Sequence, residues 1–285
     1  QTKAIAPCML IGVKRFGNVC TRLVMLRKKE YFNIFLSMML IFTLMCVLAC
    51  NPFKLEPLSD EQYKLAILGT GGFCAGVLTI YIILAGSMVI RDLKTKQQRI
   101  DELMLPATNL EKFTARVIAS TFLPIVITVV AYFAADLLQM LINMLLHKGT
   151  FASITVAAMH IIDEASRLTI TPFQQETAMA ILISTLLSLF AANTVYVLGG
   201  MLFRKTAWLK TSLAIVILGI IFFSLFVGYA YLVYRYTDYV VYIPEWAKSN
   251  WVTVASCLVQ ASVCYYFAYR IYCRLQAINT RWLNI

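Results

Sequence analysis

"AWLKTSLAIVILGIIFFSLFVGYAYLVY", Ala207 to Tyr234, decides what kind of molecule this is. After Lys210 it carries no charged side chain, and Ile, Leu, Val and Phe fill most of it. A helix rises 1.5 Å per residue, so roughly 20 such residues cross the hydrocarbon of a bilayer. Comparable runs recur near Tyr31–Cys50, Leu65–Ile90, Thr114–Leu146, Thr177–Phe203 and Ala247–Tyr272. With 60% hydrophobic residues and a mean hydropathy of +0.76, the 285-residue chain holds more apolar side chain than a soluble domain of its size can hide. In lipid a lone helix satisfies its own backbone polar groups. The short alternating segments of a β-barrel are not visible. The expectation is an all-α integral membrane protein: six transmembrane helices over 31–272, preceded by segment 1–30 and followed by a tail, 273–285.

Lys and Arg orient the spans. Seven precede span 1, six lie in Arg91–Arg116, three in Arg204–Lys210 and three from Arg270 onward. That puts nineteen on one side against six on the other, so both termini are expected in the cytoplasm. The net charge of +11 is then topology, with some attraction to anionic headgroups, and not a nucleic-acid surface. The eight cysteines show neither a disulfide framework nor metal spacing and read as small apolar packing residues. No secretory signal is evident. In Phe16–Phe32, apolar positions fall mostly at helical spacing beside Lys14, Arg15, Arg22, Arg27, Lys28 and Lys29. This predicts an amphipathic helix in the inner headgroup layer, leading into span 1.

Several chemistries are excluded by what is missing. Two histidines, His147 and His160, make no H-E-x-x-H zinc motif. No G-x-S-x-G nucleophile elbow occurs. Gly12–Gly17 has phosphate-loop glycine spacing but is followed by Asn18 and Val19 instead of Lys and Ser/Thr. The chain is expected to be no enzyme, to bind no cofactor or metal, and to lack the buried ionisable groups of a proton- or sodium-coupled carrier.

Two stripes stand out within the spans. Gly69, Gly72 and Gly76 lie on one side of span 2 and would let another helix approach closely, within the chain or across a subunit interface. Asp136, Gln139, Asn143 and His147 share one face of span 3. They read as a pathway lining or, with more weight, as polar packing at a wet interface. Span 3 is long enough to require a tilt or kink, and Pro124 offers one.

The loop "RDLKTKQQRIDELMLPATNLEKFTAR", Arg91 to Arg116, is the most patterned polar segment. Ile100, Leu103 and Met104 form a short apolar stripe, with Arg99, Asp101 and Glu102 off it. Pro106 disfavours helix at Leu105. Thr108 and Glu111 form the T-x-x-E of a capping box opening the next helix. The loop therefore reads as helix, proline turn and capped helix.

This architecture resembles that of ABC-2 type transporter permeases: six spans, both termini inside, an amphipathic helix before span 1, and a short coupling helix between spans 2 and 3. The stretch "ELMLPATNLEKFTARV" is similar to an "LP…EKF…R" segment of this group. The resemblance implies a permease subunit of a transporter, an exporter in the inner (cytoplasmic) membrane, working with a second permease chain. It implies a separate ABC-type ATPase subunit, holding ATP and Mg, docked on Gln97, Gln98, Arg99, Ile100, Asp101, Glu102, Leu103 and Met104, with Thr108 and Glu111 in the connector. The alternative is a non-catalytic scaffold or accessory subunit of another membrane complex.

Overall fold

Among the described residues every regular element is a helix. The computed structural model describes residues 12–50, 60–93, 95–146, 153–169, 172–203, 206–237 and 249–274. In chain order the helices are α1 (Val13–Cys50), α2 (Asp60–Ala85), α3 (Lys96–Leu103), α4 (Asn109–Val117), α5 (Leu123–Leu146), α6 (Ile154–Thr169), α7 (Pro172–Leu202), α8 (Ala207–Tyr236) and α9 (Asn250–Cys273). Two 3-10 turns, Gly86–Met88 and Arg91–Leu93, follow α2, and a π turn, Ile118–Phe122, joins α4 to α5. Six stretches are long and apolar enough to cross a membrane: Val13–Leu48, Lys64–Leu93, Asn109–Leu145, Ala180–Leu202, Ala207–Tyr236 and Asn250–Cys273.

The described residues fall into two compact units. The first holds 12–19, 83–117 and 179–274; the second holds 20–82 and 118–178. In the first, Val89, Ile90, Leu93, Phe113, Val117, Val197, Met201, Ala268 and Tyr272 form one buried cluster. Phe113 meets Tyr269 edge-on at 5.6 Å, so α4 is packed on α9. A Cβ on Gly86 would lie 2.5 Å from the Asn193 carbonyl oxygen, and one on Gly200 2.9 Å from that of Ser87. Only glycine lets the turn after α2 lie against the α7 backbone this closely. A Cβ on Gly199 would overlap the Thr211 side chain, which holds α8 to α7. In the second unit, α1 supplies Phe42 and Cys46, α2 Ile67 and Cys74, α5 Ala135 and α6 Ile154. Phe42 and Tyr132 pack edge-on at 5.8 Å.

Three features depart from the sequence-based expectation. The amphipathic stretch and span 1 are one unbroken helix of 38 residues, roughly 57 Å long at 1.5 Å per residue. No glycine or proline lies between Asn18 and Cys50, and a nucleated helix propagates cheaply until something breaks it. Its buried stripe, Val19, Leu23, Arg27 and Tyr31, faces protein and not only headgroups. Span 3 is interrupted by the π turn just before Pro124. Proline clashes with the carbonyl four residues back, here Ser120 in the middle of that turn, and the wider winding relieves it. Within the turn the Ala119 carbonyl accepts the Tyr31 hydroxyl at 2.8 Å. Finally, part of what reads as a long loop between spans 3 and 4 is helix α6.

Candidate functional site

The site is the segment from Arg91 to Arg116 with the helices that hold it. Helix α3 starts at a capping box that the sequence reading missed, although its T-x-x-Q signature lies in the chain. Thr95 Oγ1 accepts the Gln98 amide at 3.3 Å, and Gln98 Oε1 accepts the Thr95 amide at 3.2 Å. Gln97 donates to Asp101 at 3.2 Å one turn on. The helix ends at Leu103, and its C-cap Met104 lies two residues before Pro106. The second box forms as expected: the Glu111 amide donates to Thr108 Oγ1 at 3.2 Å, and the Thr108 amide to Glu111 Oε2 at 2.9 Å. The other Glu111 oxygen accepts the Gly12 amide at 2.9 Å, with Arg15 at 3.8 Å. One fully buried carboxylate thus caps α4 and also holds the start of α1.

The buried face of α3 is the charged one. Arg99 and Glu102, placed off the apolar stripe by the sequence, are 2% and 6% exposed. Arg99 Nε donates to the Leu93 carbonyl at 2.9 Å. Glu102 takes a two-pronged contact from Arg116, Nε to Oε1 at 2.8 Å and Nη2 to Oε2 at 2.8 Å. The Tyr272 hydroxyl of α9 donates to Glu102 Oε1 at 2.7 Å. Lys112 Nζ donates to the Glu102 backbone carbonyl at 2.9 Å. Arg116 also reaches Asp92 at 3.6 Å and the Val89 carbonyl at 3.4 Å. A guanidinium matches a carboxylate with two parallel hydrogen bonds, the arrangement that best offsets the cost of taking both charges out of water. Burial alone would raise the Glu102 pKa. The hydrogen bond and charge of Arg116, with help from Tyr272 and Lys112, overcome it and hold the carboxyl below its ordinary value.

Because charges fill the inner face, the apolar residues of α3 point outward. Leu103 is 50% and Met104 77% exposed, Ile100 is half-buried, and Gln97, Gln98 and Asp101 are exposed. The expected stripe of three is therefore a patch of two beside a half-covered third. Arg116, Tyr272, Lys112 and Asp92 escaped the sequence reading. The partial signal was a set of opposite charges flanking a proline turn, and nothing local points to Tyr272.

The polar stripe of span 3 is buried over its described part. Asp136, Gln139 and Asn143 are buried; His147 lies outside the described residues. Asp136 closes the N-terminus of α6. Its oxygens accept the Ile154 amide at 3.0 Å, the Thr155 amide at 3.4 Å, Thr155 Oγ1 at 2.8 Å and the Ser153 hydroxyl. A carboxylate is favoured there by the unpaired amides and the helix dipole. The Ser-Ile-Thr run opening α6 was the available signal. Gly69, Gly72 and Gly76 have nothing within 4 Å of an added Cβ.

Comparison of the chain with protein-family models, with curated proteins and with solved structures finds no match.

Proposed function

We propose that this chain is the membrane-spanning permease subunit of an ABC-type transporter, an exporter of the inner membrane with both termini in the cytoplasm. A separate ATPase subunit, holding ATP and Mg, docks on α3, and a second permease chain completes the pathway. The observation that carries this reading is the construction of α3. It is a short helix between two spans, belonging to neither, capped at its start and anchored by a buried ion pair, with Leu103 and Met104 turned outward.

The geometry supports a transmission role. A push on α3 moves Glu102. Glu102 is fixed to Arg116, which continues into span 3, and to Tyr272, which ends span 6. ATP drives such a machine by binding one conformation better than the other. The test is Leu103→Asp with Met104→Asp. These side chains touch no buried network, so the protein should insert and unfold as before. Exposed apolar anchors are worth roughly 1.5–3 kcal/mol each when covered, so co-purification with the ATPase and permease-stimulated ATP hydrolysis should both be lost. Full ATPase binding by this variant would refute the docking role of α3.

A further inference from the structure

A cavity of about 270 Å³ lies in the first unit. Its lining includes Ser87, Arg91, Gly200, Phe203, Thr206 and Trp208. These residues come from the end of span 2, the end of span 4 and the start of span 5. Three spans that begin or end together mark the level at which hydrocarbon gives way to headgroups. Trp208 is half-exposed there, as an amphipathic ring at a membrane boundary is.

The charge of the cavity has one sign. Arg91 is exposed and is the charged residue among the described residues of the lining, which include no acidic side chain. Lys210 lies over the Phe203 ring, 5.9 Å from its centre, and adds a second cation beside the wall. Ser87 and Thr206 supply hydroxyls. Thr206 stands in the left-handed region, φ 49°, directly before α8, so its side chain does not cap that helix. The walls are held by the glycine contacts: Gly200 against Ser87, Gly86 against Asn193 and Gly199 against Thr211. The cavity is thus a preformed, cationic, hydroxyl-bearing recess at headgroup level.

We propose that this recess is a binding site for a phosphate group, that of an anionic phospholipid headgroup, with Arg91 as the counter-charge and Trp208 beside the glycerol region. Basic recesses between spans bind such headgroups by this chemistry. The proposal rests on the membrane-spanning helices and is independent of the transport reading.

The test uses the full chain in lipid nanodiscs, with Trp246, Trp251 and Trp282 changed to Phe so that Trp208 is the sole fluorophore. Brominated phosphatidylglycerol should quench Trp208 at a lower mole fraction than brominated phosphatidylcholine. The expected preference is about fivefold, the selectivity that one basic residue near an anionic surface confers. Arg91→Gln should abolish the preference and Arg91→Lys should retain most of it, with helical content and unfolding temperature unchanged in both. Inorganic phosphate should not displace brominated phosphatidylglycerol at millimolar concentration. Equal quenching by the two lipids, or an undiminished preference in Arg91→Gln, would overturn the site. Protection of Trp208 by inorganic phosphate in phosphatidylcholine discs, without a lipid preference, would overturn the headgroup assignment in favour of the free ion.

Discussion

Glu102→Ala removes the carboxylate that neutralises Arg116. The arginine is 2% exposed, so water does not replace what is lost. It would keep the Val89 carbonyl at 3.4 Å and Asp92 at 3.6 Å, both long contacts. Breaking one side of a buried pair costs about 3–5 kcal/mol. Tyr272 loses its acceptor at the same time, but the two losses share one network and do not add. Tyr272→Phe alone removes one hydrogen bond to a charged group, about 1.5–3 kcal/mol. Glu102→Leu with Arg116→Met removes both charges and should restore most of the stability, since an apolar pair of similar volume is often no worse than a buried ion pair. The assay is reversible unfolding in mixed micelles for the wild type, Glu102→Leu, Arg116→Met and the double variant, with Glu102→Ala measured beside them. The coupling energy of that cycle should be about 3 kcal/mol, far above the 0.3–0.5 kcal/mol scatter of independent sites. A Glu102→Ala cost below about 1 kcal/mol, the range of exposed pairs, would refute the claim that charge holds α3 in place.

Three further outcomes follow from the same geometry. Because the folded-state pKa of Glu102 is depressed, its contribution is fully present above the ordinary value of about 4.5 and is lost as pH falls through the depressed value; unfolding curves of wild type and Glu102→Gln should converge in that acid window. Asp136→Asn keeps one acceptor for the α6 amides and loses the charge, so it should cost about 1–2 kcal/mol, read as a lower unfolding midpoint in micelles. Gly86→Ala should destabilise by about 1–3 kcal/mol through overpacking, whereas Gly72→Ala, with open space around it, should be neutral or slightly stabilising; a Gly72→Ala variant that loses self-association instead would place a second chain on that stripe.

What could be read from the sequence is what a few neighbouring residues encode. Runs of apolar side chain mark the six helices that are long and apolar enough to cross a membrane, and Ala207–Tyr234 differs from the observed helix by one turn or less at either end. The Thr108–Glu111 box forms with both of its hydrogen bonds, because both partners lie within one turn. The π turn was not legible: Pro124 announces an irregularity, but whether it becomes a kink or a wider turn depends on what packs on the Ser120 side. The burial of Arg99 and Glu102 was illegible for a different reason. Off-stripe charges on a short helix normally face water, and here Arg99 faces in to the Leu93 carbonyl and Glu102 to Arg116, Lys112 and Tyr272. Asp136 likewise reads as a polar residue at membrane depth until the start of α6, 17–19 residues later, supplies its donors.

The cage around Glu102 also sets an order of events during synthesis. Arg116 follows Glu102 by 14 residues, but Tyr272 follows it by 170. At roughly 5–20 residues per second, the last hydrogen bond of the cage cannot form until about ten to thirty seconds after Glu102 leaves the ribosome. Until span 6 is in place, Glu102 is held by Arg116 and Lys112 and lacks its bond from Tyr272. The outward patch of Leu103 and Met104 therefore reaches its final seating only on a chain whose last span has been inserted, so that a partner recognising a firmly held α3 would pass over nascent or truncated copies.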